Sequence, residues 1–461
     1  MKAQEFKRGE VTAFLALIFV LLVSFAGSLM ESASLQTAKS YRRADMNRAI
    51  ESVFAEYQRE LLEEFDIFSL EGSYESGTYD EKKLVDRLSY YGASGIKQKI
   101  GRIELLTDKN GKSFLEQIDY YIESKYGLSS LINLHSGMDI WKKQEEKEEH
   151  IQQLETELDQ QLSEMLSENG LELPIDGNPL PNMQNLAATP LVDLVMPAHR
   201  TVSEKAAATD SMVSHRSLRK GYGDFSDVTE GTELSAIAFG EYILTHFSSA
   251  VPKEGEKKDG SLDYEIEYIL SGKDSDRENL ETVLRKLLIF RFVPNYAYLQ
   301  GDSARQAEVK ALALTLCSVI AFPAAADALA QVLLFAWAFG ESIMDLRSLI
   351  EGGGVPITKN SESWQLSLSG LMTLGTEGEN QEGKNTSEGI TYDEYLRVLL
   401  FLNHKQEMSL RALDMIELCL RKEKGLSWFR ADNCISRMEV ESTVNLRRGI
   451  TYRFHTYYGY R

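Results

Sequence analysis

The hydrophobic pattern of this chain begins with an apolar stretch close to the N-terminus. Residues 11–29 carry no charged side chain, and their length is close to what a helix needs to cross a lipid bilayer. Lys2, Lys7 and Arg8 precede the stretch, which favours a cytoplasmic N-terminus and an extracytoplasmic remainder. A cleavable signal peptide is the alternative, because Ser24-Phe25-Ala26 places small residues, Ser24 and Ala26, where a signal peptidase requires them.

The pattern becomes amphipathic after the apolar stretch. Gly27 is the only glycine between Gly9 and Gly72, and apolar residues recur at helical spacing against a polar opposite face. These apolar residues are Met46, Ile50, Val53, Tyr57, Leu61, Phe65 and Phe68. We therefore predict a basic leader (1–10), a transmembrane helix (11–29) and an amphipathic continuation of the same helix (30–70).

The middle of the chain has helical periodicity followed by prolines. Residues 71–170 are expected to form a helical arm or hairpin, in which the apolar repeat around Leu158 and Leu162 is too short to favour a coiled coil. Residues 171–232 contain several prolines and show weak periodicity, so they are interpreted as a linker.

Residues 233–461 are predicted to form an α+β ectodomain. "DYEIEYIL" (263–270) alternates apolar and acidic residues, as in a half-buried strand, and "WQLSLSGLM" (364–372) also has the pattern of a strand. Ser275 and Glu278 have the spacing of a capping box, which opens a helix that is expected to end before Pro294.

A second apolar stretch covers residues 311–339. It is either a membrane span or a buried helical hairpin (311–340). Pro323 divides it, and Asp327 and Gln331 lie near its middle, so each half is closer to the length of a core helix. We therefore favour the buried hairpin.

The C-terminal pattern completes the predicted fold class. Residues 391–421 form an amphipathic helix that is broken near Asn403, and two alternating segments around residues 447–449 predict a terminal hairpin. The whole chain is thus expected to be α+β, with a long N-terminal helix, a helical middle region and antiparallel strands at the C-terminal end.

Charge and cysteine content limit the possible partners. The formal net charge of −20 argues against a nucleic-acid partner, which requires a basic face. Cys317, Cys419 and Cys434 have neither the number of a disulfide framework nor the spacing of a metal site. Cys419 and Cys434 are either a disulfide pair or free thiols.

Candidate chemistry is limited to one pair of carboxylates. The histidines are scattered without an HExxH motif, and no complete nucleophile motif is present, so we predict no catalytic, cofactor or metal residues. Glu341 and Asp345 are four residues apart on one helix face, where they would bind a cation or act in acid–base catalysis. The alternative, which we favour, is that they pair with Arg347 or another arginine and anchor a buried helix.

The motifs point to a family resemblance. "RGEVTAFLALIFVLLVSFAGSLMESA" (8–33) resembles the TadE/TadG-like proteins of tight-adherence (Tad) pilus systems, which belong to the type IV pilin class. Three later stretches resemble an uncharacterised family of large Gram-positive proteins that is grouped with those systems. These stretches are "DYEIEYILSGKDSDRENL", "FAWAFGESIMDLRSLIEGGGVPITK" and "FRADNCISRMEVE".

The resemblance implies a place in the cell and a set of partners. It implies a single-pass protein of the cell membrane that packs through its N-terminal helix with other pilin-like or pilus-assembly subunits, and a prepilin peptidase that cuts between Gly9 and Glu10. Pilins usually carry glutamate five residues after the cleavage glycine, where this chain has Phe14. A minor pseudopilin or an unprocessed anchor therefore fits better than a major pilin.

Three functions follow from these observations. The first is a non-enzymatic, pilin-like subunit or assembly component of a Tad-type pilus. The second is a surface-anchored binding module or adhesin that is unrelated to pilus assembly. The third, an extracytoplasmic hydrolase, ranks last because no catalytic set is recognisable in the sequence.

Overall fold

The computed structural model describes residues 3–127, 141, 148–225, 235–253, 260–376, 381–386, 389–403 and 405–460. The chain divides into two compact units. Unit 1 contains Met1–Lys109, Leu218–Thr229 and Trp428–Arg461. Unit 2 contains Asn110–Ser217 and Glu230–Ser427.

Unit 1 begins with a single long helix, α1 (Ala3–Phe54). It is followed by α2 (Arg59–Phe65), β1 (Leu70–Glu71), α3 (Glu81–Leu88) and β2 (Lys97–Leu105). The strands β3 (Cys434–Asn445) and β4 (Thr451–Gly459) come from the C-terminal end and complete an antiparallel sheet with β1 and β2. The sheet of unit 1 therefore joins the two ends of the chain.

The long strand β3 organises this sheet. It pairs with β2 from Lys97↔Thr443 onwards and with β4 from Arg437↔Gly459 to Asn445↔Thr451, and β1 adds a short pairing at Leu70↔Ile435. The β2 register shifts near Gly101, where a β-bulge turns the strand. The result is a platform with one apolar face.

The last turns of α1 cover that apolar face. Met46, Ala49, Ile50, Val53 and Phe54 are almost completely buried in the core of the unit. The sheet contributes buried residues to the same cluster, including Ile100, Ile103, Met438, Val440, Val444 and Phe454. Burial of each large apolar side chain contributes about 1.5–3 kcal/mol, so this packing fixes the second half of α1 on the sheet.

Unit 2 is built from helices. In chain order they are α4 (Asp108–Tyr126, except its first two residues), α5 (Glu148–Glu168), α6 (Leu180–Ala188), α7 (Leu191–Val195), α8 (Ser235–His246), α9 (Glu265–Ser271), α10 (Asp276–Gly301), α11 (Ser303–Val319), α12 (Ala326–Ile350), α13 (Tyr392–Leu402) and α14 (Lys405–Leu418). The central element is α12, which packs against α10 and α11 and is also contacted by α5, α6 and α7.

The observed fold is α+β, as the sequence predicts, but the long helix is shorter than expected. The predicted continuation to residue 70 stops at Phe54, and α2 is a separate short helix. The Phe54 carbonyl accepts a hydrogen bond from the hydroxyl of Tyr460, and the Gln58 amide bonds to the Ser69 carbonyl. Tertiary partners have therefore replaced the helical hydrogen bond at this point.

Two predicted strands are not strands. Residues 265–270 of "DYEIEYIL" lie in α9, and residues 266–270 are all buried, so the predicted half-buried strand is wrong. The prediction assigned the charged Glu267 to an exposed face. Its carboxylate is buried and accepts hydrogen bonds from the Tyr392 hydroxyl and the Ala250 amide. In "WQLSLSGLM" the amides of Gln365 and Leu366 donate to the Glu341 carboxylate rather than to a neighbouring strand.

Prolines also have a different role from the one predicted. Within residues 171–232, Pro179 and Pro190 lie at the N-terminal ends of α6 and α7, and α7 is buried, so the described part of this segment is packed structure rather than a linker. Pro294 lies inside α10, which continues to Gly301, because residues on both sides of the proline are buried in the unit.

Several local predictions are confirmed. Ser275 caps α10 by accepting a hydrogen bond from the Glu278 amide, and the helical region 391–421 is interrupted at Asn403. The terminal hairpin is present as β3 and β4. None of the three cysteines is in a disulfide, so Cys419 and Cys434 are not bonded to each other.

The predicted domains differ from the two compact units of the structure. The prediction places all of residues 233–461 in one ectodomain, whereas Trp428–Arg461 belongs to the same unit as the N-terminal helix. Residues 128–140 and 142–147 of the predicted arm, and residues 226–232 of the predicted linker, lie outside the described residues.

Candidate functional site

The first half of α1 is an apolar surface without a covering element. Apart from the half-buried Ile18, its large apolar side chains are exposed by more than half, from Val11 at 57% to Leu29 at 55% and Met30 at 76%. The helix from Gly9 to Phe54 contains a window with a mean hydropathy of 2.5, none of which is buried. A surface of this kind is typical of a membrane anchor or a signal sequence.

The predicted cleavage residues lie at the start of this surface. Gly9 and Glu10 are adjacent and exposed within the continuous helix, and no atom lies close enough to obstruct the Gly9 Cα. Phe14, which stands where pilins carry glutamate, is 63% exposed on the same apolar surface. Ala13, Ala16, Ala26, Gly27 and Ser28 add small positions at which another helix can approach closely.

The second sequence-predicted site, Glu341 and Asp345, lies on one face of α12 and is fully buried. The Lys359 ammonium bridges the two carboxylates, with Nζ 2.6 Å from Glu341 Oε1 and 2.5 Å from Asp345 Oδ1. The Arg291 guanidinium also pairs with Asp345, with Nε 2.9 Å from Oδ2. We call these four residues the buried charge network.

Neutral groups form further hydrogen bonds with the charged side chains of the network. Asp345 Oδ2 accepts a second hydrogen bond from Asn295 Nδ2 at 2.9 Å, and Arg291 donates to the Tyr395 hydroxyl at 3.0 Å. The Glu341 carboxylate accepts from the Leu366 amide at 2.7 Å. Two cations and two carboxylates therefore compensate one another in the buried interior, where an uncompensated charge would be costly.

The electrostatics of the network follow from this burial. Burial raises the pKa of Glu341, the Lys359 ammonium opposes that shift, and the Asp345 carboxylate adds to it. Burial disfavours the charged form of Arg291, but Tyr395 and Asp345 outweigh it, and the pKa of Arg291 is raised. The network holds α10 and α12 to the segment after α12 and has no exposed atom at which a substrate would react.

The structure thus favours the ion-pair alternative for Glu341 and Asp345. The arginine is Arg291 rather than Arg347, whose Nε donates to the Leu194 carbonyl. Sequence reasoning missed Arg291 and Lys359. Arg291 lies on another helix, α10, and Lys359, the last residue of "FAWAFGESIMDLRSLIEGGGVPITK", lies in the segment after α12, so no helical spacing connects either cation to the carboxylates. Among the described residues, no group of three or more histidine, cysteine or acidic side chains has the arrangement of a metal site.

One cluster in unit 2 contains the residue types of a hydrolase. Ser214 Oγ lies 2.9 Å from His215 Nδ1 and donates to Asp414 Oδ2 at 2.5 Å, and the Tyr268 hydroxyl donates to the same oxygen. In a catalytic triad the histidine stands between the serine and the carboxylate. Here the serine stands in the middle, so the histidine is not oriented by the carboxylate, and the buried Asp414 serves as a structural acceptor.

Unit 2 also contains a cleft of about 1300 Å³. It lies between α5, the segment after α5, α6 and α12. Its walls combine apolar and polar surface. Leu162, Leu166, Met183, Val332, Phe335 and Phe339 contribute apolar surface, and Asp159, Ser163 and Gln184 are among the polar lining residues. A cleft with this mixed lining suits an amphipathic ligand.

Comparison with known protein families gives a match over the middle and C-terminal parts of the chain. The sequence model of a family described as "Family of unknown function (DUF5702)" matches residues 169–446, which is more than half of the chain. This range includes α12, the buried charge network and β3. No curated protein and no solved structure matches the chain.

Proposed function

We propose that this chain, which belongs to the family of unknown function DUF5702, is a membrane-anchored, pilin-like subunit or assembly component of a Tad-type pilus. In this proposal the N-terminus is cytoplasmic, residues 11–29 cross the cell membrane once, and the rest of the chain is extracytoplasmic. The protein acts through its surfaces and performs no catalysis.

One observation carries the proposal: α1 is a continuous helix with two different halves. The first half exposes apolar side chains, and the second half is buried against an antiparallel sheet made from the chain termini. When the exposed half of such a helix is inserted in a bilayer, the helix determines where the folded unit at its other end lies relative to the membrane. Pilin-class subunits are built on the same principle, and the resemblance of residues 8–33 to TadE/TadG-like proteins gives independent support.

The partner surface in this proposal is the apolar half of α1. A passive lipid anchor needs only hydrophobicity, whereas helix association in a bilayer depends on small residues that allow close backbone approach. Ala13, Ala16 and Gly27 provide such positions. The basic residues before the stretch favour the proposed orientation.

The mass of the mature N-terminus, measured separately in the membrane fraction and in the medium, tests the anchor. A chain that begins at Glu10 supports prepilin-type processing. A chain that begins near Gly27 shows removal of a signal peptide and contradicts the proposal. An intact leader in the membrane fraction identifies an unprocessed anchor.

A helix replacement then distinguishes a subunit from a tether. Residues 11–29 are replaced by an unrelated single span of equal length, and the matched control changes only lipid-tolerant positions such as Leu21→Ile. A subunit loses its incorporation into sheared pili or its cross-links to other pilus components, although it stays in the membrane. Unchanged incorporation after the replacement would contradict the proposal.

The cleft in unit 2 favours a second candidate, a surface-anchored binding module or adhesin. In that case the ectodomain keeps its activity on an unrelated anchor, and filling the cleft impairs binding to cells or surfaces. The variant Ala336→Trp fills the cleft, and Ala311→Trp on the exposed side of α11 is the control. Equal binding by both variants would argue against this candidate.

A further inference from the structure

The strand β4 lies alongside the second half of α1 and runs in the same direction. Three side-chain contacts follow one another in the same order along both elements. The Lys39 ammonium lies 5.3 Å from the ring centre of Tyr452, and the Arg43 guanidinium lies 5.8 Å from that of Phe454. The ring centres of Phe54 and Tyr458 are 4.8 Å apart. The start of β4 is therefore nearest to the apolar half of α1, and its end is farthest from it.

The turn that precedes β4 reaches the point where the apolar half of α1 ends. We define the hairpin tip as residues 446–450, which connect β3 to β4. Arg448 in the tip forms an ion pair with Glu31 of α1. Glu31 directly follows Met30, the last residue of the exposed apolar surface. When the apolar half of α1 lies in a bilayer, the hairpin tip lies at its polar boundary.

The tip has the composition of a lipid-headgroup contact. Arg447 and Arg448 are exposed, Ile450 is 37% exposed, and Arg448 and Gly449 adopt positive φ angles of 58° and 74° that make the turn tight. Arg447 has no ion-pair partner among the residues that the structure describes. Guanidinium groups bind phosphate oxygens in a bidentate manner, and an adjacent aliphatic side chain enters the boundary between headgroups and acyl chains.

The charge of the tip is opposite to that of the protein as a whole. The chain carries a net charge of −20, yet the tip is basic, and Lys39 and Arg43 extend the positive charge along the neighbouring face of α1. A protein with this net charge is repelled by an anionic membrane unless basic residues are concentrated where it touches the surface. Solubility alone does not explain two exposed arginines at this position.

We propose that the hairpin tip binds the anionic phospholipid headgroups of the bilayer that α1 spans and so fixes the tilt of unit 1 on the membrane. The proposal rests on the proposed function only in its requirement that the apolar half of α1 is inserted. The partner is the lipid surface itself, with Arg447 and Arg448 on the phosphates and Ile450 at the edge of the acyl region.

The test uses the full chain in nanodiscs of phosphatidylcholine, with or without phosphatidylglycerol. Cys419, the only cysteine that is not buried, is changed to serine, and a nitroxide is attached at Phe19→Cys, Ile450→Cys or Tyr457→Cys in separate samples. Collision with oxygen and with a water-soluble nickel chelate reports the depth of each label. Tyr457 is the matched control, because it lies on β4, which follows the tip, with the same 37% exposure as Ile450 and about 23 Å from it at the rise of a β-strand.

The expected result is a graded set of depths. The label at Phe19 loses almost all contact with the nickel chelate, and the label at Tyr457 remains fully accessible to it. The label at Ile450 loses most of its accessibility when phosphatidylglycerol is present. Arg447→Gln restores much of that accessibility, whereas Arg453→Gln, which removes an exposed charge farther along β4, leaves it nearly unchanged.

Three results would overturn the proposal, and they differ in what else they overturn. If the label at Ile450 behaves like that at Tyr457 while the label at Phe19 is buried in lipid, the tip does not bind the membrane but the anchor stands. If the label at Phe19 is open to water, the proposed function falls as well. Equal shielding of Ile450 in both lipid compositions would contradict recognition of anionic headgroups.

Discussion

Among the described residues, α1 and α12 lie in the helical stretches that are long and apolar enough to cross a membrane, and their surroundings are opposite. The apolar window of α1 is not buried at all, whereas 83% of the corresponding window that includes α12 is buried. The apolar part of α1 has no charged residue between Val11 and Met30. Along α12, by contrast, Glu341 and Asp345 interrupt the apolar sequence.

The difference lies in how polar side chains are accommodated. In α12 the buried acidic residues Glu341 and Asp345 meet cations from outside the helix, namely Lys359 and Arg291, and Ser342 accepts a hydrogen bond from Asn295. Such residues stabilise a helix inside a protein because their partners are built in, and the same residues are costly in lipid. In this protein, polar residues with built-in partners distinguish the buried core helix from the exposed apolar helix better than total hydrophobicity does.

The largest effect is expected from Lys359→Met. This change leaves the Glu341 and Asp345 carboxylates together in the interior with only Arg291 as a counter-ion. We expect the free energy of unfolding of unit 2 to fall by about 3–5 kcal/mol, measured by urea denaturation of the full chain in detergent. Lys310→Met at an exposed position of α11 is the control and is expected to stay within about 0.5 kcal/mol of the native chain.

The loss of stability in Lys359→Met is expected to depend on pH. The folded-state pKa of Glu341 is raised above its unfolded value, and loss of Lys359 raises it further. A raised carboxyl pKa gives stability that is present below the unfolded pKa and is lost as pH rises through the folded pKa. The deficit of Lys359→Met is therefore expected to shrink as the pH falls from neutral towards that of carboxyl titration. A deficit that grows on acidification would contradict the network.

The second half of α1 provides the next test. Ile50 is 1% exposed in the core of unit 1, and Ile50→Ala is expected to destabilise that unit by about 2–5 kcal/mol. Faster hydrogen exchange of the β3 and β4 amides, measured by mass spectrometry, reports the effect. Phe19→Ala in the first half of the same helix should leave this exchange unchanged, and equal effects of the two variants would refute the two-part helix.

A charge in the first half of α1 tests the membrane assignment. Leu21→Lys is expected to weaken insertion by about 2.5–3.5 kcal/mol, because a lysine at the centre of a span is unfavourable. The protein would shift from the carbonate-resistant membrane fraction to the soluble fraction, and Leu21→Ile would not. Full membrane retention of the lysine variant would argue that this stretch is not an anchor.

The smallest effect concerns one neutral member of the α12 face. Ser342→Ala removes an acceptor for Asn295, whose amide still donates to Asp345, so the expected loss is about 1 kcal/mol in urea denaturation. The exposed Ser318 hydroxyl on α11 donates to the Leu314 carbonyl of its own helix, and Ser318→Ala is the matched control, with a change of less than about 0.5 kcal/mol. A loss above 3 kcal/mol, on the scale of a broken buried ion pair, would mean that Ser342 is an essential member of the network.

Local patterns allowed several elements to be predicted. The apolar stretch of α1, the serine cap of α10, the interruption at Asn403 and the terminal hairpin each depend on residues that are close in sequence. The spacing of Met46, Ile50 and Val53 also identified the buried face of α1 correctly. Short-range hydrogen bonds and side-chain periodicity decide such features, so they are readable from the chain alone.

Predictions failed where a distant residue decided the structure. The alternation in "DYEIEYIL" was misread because Glu267 is buried with Tyr392 as its partner. The strand β2 was missed, because its bulge near Gly101 interrupts the alternation and its main partner, β3, lies more than three hundred residues away. The end of α1 depends on Tyr460, close to the other end of the chain.

The sequence by itself determined the apolar character of residues 11–29, the α+β class and the pairing potential of Glu341 and Asp345, because composition and periodicity carry that information. Only the tertiary structure decided that Lys359 and Arg291 neutralise those carboxylates, that α1 is fixed on a sheet made from both ends of the chain, and that the hairpin tip meets Glu31. Each of these depends on contacts between residues far apart in sequence, and folding selects such contacts through the burial and charge balance of the whole unit.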